Sequence, residues 1–268
     1  MIFFRQLIKQ VFIFLGLLVV VVLIYNPVKT FAFDSLNYQF NKALNASEKG
    51  DFTKAILLWN KVLKESPKNA AAYSNRGNIR LSLGDAEGAI SDQNKAIELL
   101  PDELDAYLNR GVAEEVLNLW DAAESDYKYI LNLDPSNASA LYNLGNIRGS
   151  QGDWFKAKDL FSQAVVASPD FAMARSSKAL ADYELGEILN AETELRKLIR
   201  KYPLFADARA ALSALLWRKG SIGEAESNWA AATGLDNRYR NNEWLLKIRR
   251  WPPEPTRDLM NFLSLERS

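Results

Sequence analysis

The sequence predicts an all-α fold of stacked antiparallel helix pairs, and three observations sharing one period predict it. Pro67, Pro101, Pro135, Pro169 and Pro203 follow one another at intervals of 34 residues, and the next step lands on Asn237 within GLDNRY. Twelve residues before each of these six positions stands an alanine: Ala55, Ala89, Ala123, Ala157, Ala191 and Ala225. Small residues recur at two further offsets, as Gly50, Gly84, Asn118, Gly152, Gly186 and Gly220, and as Ala43, Gly77, Gly111, Gly145, Ala179 and Ser213. A fixed period of this length marks one supersecondary unit repeated along the chain.

The stretch 70–103, AAAYSNRGNIRLSLGDAEGAISDQNKAIELLPDE, shows how one unit works. A first helix ends near Leu83, and Gly84 supplies the left-handed residue that closes it. Asp85 then caps the second helix. Pro101 stops that helix, because a proline has no N–H to give and clashes with the preceding turn. Gly77, Ala89 and Ala96 are small where neighbouring helices cross, and Ile90, Ile97 and Leu100 are expected to fill the remaining space. No unit buries its apolar face alone, so the units must stack on one another.

With NRG at 75–77 and 109–111, NLG at 143–145, and GD at 50–51, 84–85 and 152–153, the chain resembles the tetratricopeptide-repeat family. The resemblance covers six units, 36–69, 70–103, 104–137, 138–171, 172–205 and 206–239. It implies a right-handed superhelix with a C-terminal helical cap, and no cofactor. Units five and six depart from the pattern at SSKA and ALSA, where Asn-x-Gly is missing. The stretches SNRGNIRLSLGD, YNLGNIRGSQGDW and RRWPPEPTRDLMNFL are also similar to exported repeat proteins common to cyanobacteria and chloroplasts, which implies a thylakoid or periplasmic setting.

The resemblance also implies that positions 2, 5, 6, 9, 12 and 13 of each first helix line a concave groove. Position 6 reads Asn41, Asn75, Asn109 and Asn143, then Ser177 and Ala211; position 9 adds Asn78 and Asn146. An amide offers donors and acceptors alike, so a ladder of them suits the backbone of an extended peptide. Phe40, Leu108, Tyr142, Tyr183 and Trp217 are the candidate apolar anchors, Leu108 and Tyr142 foremost. Lysine is absent from position 5, and position 2 includes Asp105 and Asp207, which argues against a clamp for a terminal carboxylate. Position 11 reads Arg80, Glu114, Arg148 and Asp182, alternating in sign, and is expected to form a charge ladder between units.

Outside the repeats, Val11 to Tyr25 form an unbroken apolar run preceded by Arg5 and Lys9 and followed by a T-F-A pattern at 30–32. Residues 1–32 are therefore expected to be a signal peptide, or an anchor built on 7–25, placing the rest on the exported side of a membrane. Beyond Tyr239 the period is lost. NNEWLLKIRR is expected to be a short helix, Trp251-Pro252-Pro253 an extended corner, and PTRDLMNFLSLE a last helix. Trp244, Leu245, Ile248, Leu259, Phe262 and Leu263 have the spacing of a cap over the open end of the array. The alternative is a basic, Trp-containing surface, with Trp244 and Trp251, that meets anionic lipid.

Composition narrows the function. Lys+Arg and Asp+Glu are both 33, with no histidine and no cysteine. A His-based triad, a thiol nucleophile and a zinc site on imidazole or thiolate are thereby excluded. A neutral chain lacks the electrostatic footprint of a nucleic-acid binder. Carboxylate pairs such as Asp121 with Glu124, or Glu192 with Glu194, fall on the expected outer faces of second helices. A non-enzymatic scaffold that binds a protein or peptide partner, with membrane contact through the N-terminal segment if it is retained, is the expected function.

Overall fold

A computed structural model describes residues 36–265, and every regular element among them is helical. The expectations for residues 1–32 lie outside the described residues; among those described, no helix is long and apolar enough to cross a membrane. The chain runs through α1 (36–48), α2 (Phe52–Glu65), α3 (Ala70–Ser82), α4 (Ala86–Leu99), α5 (Leu104–Val116) and α6 (Trp120–Leu133). It continues through α7 (Ala138–Ser150), α8 (Trp154–Ala167), α9 (Ala172–Glu184), α10 (Ile188–Lys201), α11 (Ala206–Arg218) and α12 (Ile222–Leu235). A 3-10 turn (Asn237–Arg240), a π-helical turn (Trp244–Arg249) and α13 (Pro253–Leu265) complete it. Two compact units divide it, one ending at Ala113 and the other beginning at Glu114.

The hairpin turns follow from single residues. Gly50, Gly84, Gly152, Gly186 and Gly220 have φ between 72° and 85°, and Asn118 takes the same place at φ 59°. In each, the next residue's N–H donates to a carbonyl five residues back, as Asp85 N to Arg80 O (2.9 Å) and Asp153 N to Arg148 O (2.9 Å). Left-handed geometry costs a side-chain-bearing residue about 1–2 kcal/mol, which is why glycine holds five of these sites and asparagine the sixth. Asp51, Asp85 and Asp153 then accept from Lys54 N, Gly88 N and Lys156 N, satisfying donors that the next helix leaves open.

The small residues sit at crossings. All six alanines of the repeat are buried, and so are Ala43, Ala179 and Ser213 opposite them. A Cβ added to Gly145 would lie 2.6 Å from Phe161 Cε1, and one added to Gly77 would lie 3.2 Å from the Ala89 carbonyl oxygen. Leu100 departs from expectation: it ends α4 and stays exposed, walling a surface depression instead of filling the core.

The C-terminal unit contains the larger core, in which Leu195, Leu212, Leu215, Trp229 and Tyr239 pack with Leu245, Trp251, Leu259, Phe262 and Leu263. α13 lies against α11 and α9. Five of the six expected cap residues are buried or half-buried; Ile248 is 69% exposed because the π-helical turn rotates it outward. That turn ends at Arg250, φ 57°, where Trp251 N donates to Leu245 O at 2.9 Å. The last helix begins at Pro253, two residues earlier than the sequence suggests.

Candidate functional site

In the N-terminal unit, a depression of about 340 Å³ opens among α3, α4 and α5. Ser74, Asn75, Asn78, Glu103, Asp105 and Asn109 supply its polar lining, and Ala106 and Leu100 its apolar floor and rim. The amides are oriented by their neighbours. Asn75 Nδ2 donates to Ala71 O (2.8 Å), which leaves its Oδ1 to accept. Gln93 Nε2 donates to Asn78 Oδ1 and to Ser74 O, both at 3.0 Å, which leaves the Asn78 NH₂ to donate. Asn109 Nδ2 reaches Ser74 Oγ at 3.5 Å. Asn41 is exposed on α1, and Leu108 is half-buried on α5.

The first-helix face of the C-terminal unit is filled by the chain's own tail. Asp207, 1% exposed at the start of α11, accepts from Arg249 Nε and Nη2, each at 2.7 Å. The same carboxylate accepts from Ser176 Oγ (2.5 Å), Tyr239 Oη (2.9 Å) and Trp251 Nε1 (3.0 Å). Burial pushes its pKa up, but the Arg249 charge and these hydrogen bonds outweigh burial and hold it below the ordinary value. Arg250 pairs with Glu115 and lies over the Trp120 ring at 5.3 Å. Burial first, then the Glu115 charge, pushes the Tyr127 hydroxyl pKa up; that hydroxyl donates to Glu115 and is hydrogen-bonded by Asn143. Further along, Glu254 N donates to Glu184 Oε2 (2.7 Å), and Tyr183 Oη donates to Asp258 Oδ2 (2.8 Å).

These contacts correct several expectations. Trp251 is 2% exposed and Arg249 is buried, so neither contributes to a basic tryptophan surface; Trp244 is half-buried against Tyr239 and Arg238. Asn143 hydrogen-bonds the Tyr127 hydroxyl, Tyr183 bonds Asp258 of the tail, Trp217 packs against the core, and Tyr142 stacks sideways on Phe161 and Phe171. Asn146 sits half-buried on α7, with Ser150 Oγ donating to its carbonyl. Position 11 pairs with second helices and not with itself, and two of its pairs, Arg148 with Glu124 and Asp182 with Lys158, still join adjacent units. Arg80 goes to Asp92 (2.9 Å), Arg148 to Glu124, and Asp182 to Lys158 (3.0 Å). Glu114 is buried at the same register of α5. The physical reason is that this side of a first helix faces second helices, α4 for Arg80, α6 for Arg148 and α8 for Asp182.

Three of the four candidate carboxylates, Glu124, Glu192 and Glu194, are ion-paired. Hydrogen bonds from Arg148 hold Glu124 below the usual range, and those from Lys219 do the same for Glu192. Glu194 pairs with Arg175 at 2.5 Å. Among the described residues, no group of acidic side chains has the arrangement of a metal site. The residues that sequence reasoning missed are Glu115, Arg249 and Arg250 as docking groups, and no local pattern in the sequence marks them.

Helix pairs closed by left-handed residues, with one first-helix face open and another occupied by a segment of the same chain, define a helical-repeat protein. The tetratricopeptide-repeat profile matches residues 40–103, 108–170 and 177–237, and the chain belongs to that family. No curated protein matches it. A tetratricopeptide repeat protein from Parabacteroides merdae is similar at 18% identity over 86% of this chain and 99% of that one, TM-score 0.61. A thermophilic protein of the same repeat type from Thermus thermophilus is 20% identical over 68% of this chain and 99% of that one, TM-score 0.59. A chain of the APC/C Cut9–Hcn1 hetero-tetramer gives TM-score 0.70 at 16% identity, over 84% of this chain and 42% of that one. At these identities the likeness is one of fold.

Proposed function

We propose that the protein is a non-enzymatic interaction scaffold that captures an extended segment of a partner protein on the open first-helix face of its N-terminal unit. The observation that carries this reading is the contrast between two faces of one repeat type. Residues at positions 5, 6 and 9 of the N-terminal unit line an open depression of about 340 Å³. The corresponding face of the C-terminal unit already holds a polypeptide segment, its own residues 249–254. A surface that binds chain in one unit is chemically suited to bind chain in the other. The basic n-region and apolar run of residues 1–32 support a position on the exported side of a membrane, where such a scaffold would serve in assembling membrane protein complexes.

The test is cross-linking with mass spectrometry on membranes carrying the full chain, with and without Asn75→Ala plus Asn109→Ala. The two amides are half-buried polar groups, so the double change leaves helix content intact and alters stability by about 0.5 kcal/mol or less each. Cross-links from α3 and α5 to a partner segment are expected in the native chain and lost in the variant. An unchanged cross-link set refutes the assignment of this face.

A further inference from the structure

We infer that the open depression is a receptor for an arginine-bearing segment, resting on the reading that this face captures polypeptide. The argument begins with register. Ser74 lies three 34-residue periods before Ser176, and Asp105 lies three periods before Asp207. In the C-terminal unit this serine–aspartate pair is the seat of an arginine: Ser176 Oγ donates to Asp207, and Arg249 grips the same carboxylate with two bonds of 2.7 Å. In the N-terminal unit both members of the equivalent pair line the depression, and Asp105 is exposed there.

The position of Asp105 in the first turn of α5 also complements the helix dipole, but Asp207 stands in the first turn of α11 and takes an arginine all the same. The rest of the lining has the same preference. Glu103 and Asp105 are carboxylates, and Asn75 and Asn109, each with one amide hydrogen engaged, also present carbonyl oxygens that accept. Among the described residues, no lysine or arginine lines the depression. Arg76, the nearest cation along α3, is held by Asp92 and Asn60. A guanidinium is a cation with five donors, so it matches a lining with two carboxylates and no cation, whereas a carboxylate-terminated ligand would meet repulsion.

The probe is a blocked peptide of residues 247–254, Lys-Ile-Arg-Arg-Trp-Pro-Pro-Glu, with versions carrying Gln-Gln or Glu-Glu in place of the two arginines. Binding to the full chain is measured by calorimetry, for wild type, Asp105→Asn and Asn75→Ala plus Asn109→Ala. The arginine peptide is expected to bind best, with affinity falling at least about tenfold for the Gln-Gln peptide and for Asp105→Asn, since a hydrogen bond between charged groups is stronger than one between neutral groups. Asp105 is exposed, so its replacement does not threaten the fold. If the Gln-Gln or Glu-Glu peptide binds as well, in a manner that needs Asn75 and Asn109, the face captures chain but the preference for arginine is wrong. If Asp105→Asn changes nothing while the arginine peptide binds, the register argument is wrong. If no peptide of any charge binds, this inference and the reading beneath it fall together.

Discussion

Replacing Arg249 with methionine tests whether an ion pair holds the tail in place. The change keeps most of the side-chain volume and removes the cation from a carboxylate that is 1% exposed. Stripping one partner from a buried pair costs about 3–5 kcal/mol, because the remaining charge has neither water nor counter-ion. Asp207 keeps three uncharged donors, from Ser176, Tyr239 and Trp251, which places the loss toward the lower end of that range. At about 2–4 °C per kcal/mol for a domain of this size, a loss near 3 kcal/mol lowers the melting temperature by about 6–12 °C. Repeat arrays unravel from their ends, so faster amide exchange should appear first in α11, α12 and α13. Adding Asp207→Asn to Arg249→Met removes the stranded charge while keeping an acceptor, and should recover at least half of the loss. A single variant that melts within a degree of wild type, or a double variant no better than the single, refutes the reasoning.

Acid should release the same segment, and the sign is fixed by direction. The folded pKa of Asp207 lies below its ordinary value of 3.8, so the stabilisation is complete above that value and is lost as pH falls through the lower folded pKa. Exchange protection of the Trp251 indole N–H should therefore persist at pH 5 and vanish only in strong acid; loss between pH 7 and 5 would contradict the pairing. Asn118→Ala should destabilise by about 1 kcal/mol in urea titration, since φ is 59° there and alanine has no side-chain compensation for a left-handed backbone, whereas Asn118→Gly should be near neutral. Equal stability of all three forms would remove the backbone argument.

The helix pairs were legible because their constraints act at short, fixed offsets. A left-handed closing residue, a capping aspartate and a small residue at a crossing each leave a sign every 34 residues, and Gly84, Asp85 and Ala89 show all three within six positions. Contacts that join distant segments leave no such sign. Arg249 meets Asp207 across 42 residues, and Arg250 meets Glu115 across 135. Asp207 was legible as a groove residue that argues against an anionic ligand, but nothing local to it says that an arginine of the same chain completes it. The charge pairs between units run to other partners for a related reason. Periodicity placed Arg80, Arg148 and Asp182 on equivalent sites, but it does not say which helix stands opposite, and second helices stand there.

The polar seat of the tail has a use that an apolar cap alone would not serve. Leu245, Leu259, Phe262 and Leu263 cover the end of the array, yet apolar contacts are non-directional, and every unit offers similar small-residue surfaces. A buried ion pair adds little net stability over apolar packing of the same volume, so its effect lies in geometry: five donor contacts converge on one carboxylate and admit one register. At position 2 of the six units the residues are Asn37, Ala71, Asp105, Ser139, Met173 and Asp207, so an arginine has two carboxylates to choose from. Tyr239 and Trp251 both donate to Asp207, and both lie within a short stretch of chain around Arg249, which decides the choice. The tail is thereby committed to the second carboxylate, and the first, at Asp105, remains exposed in its depression.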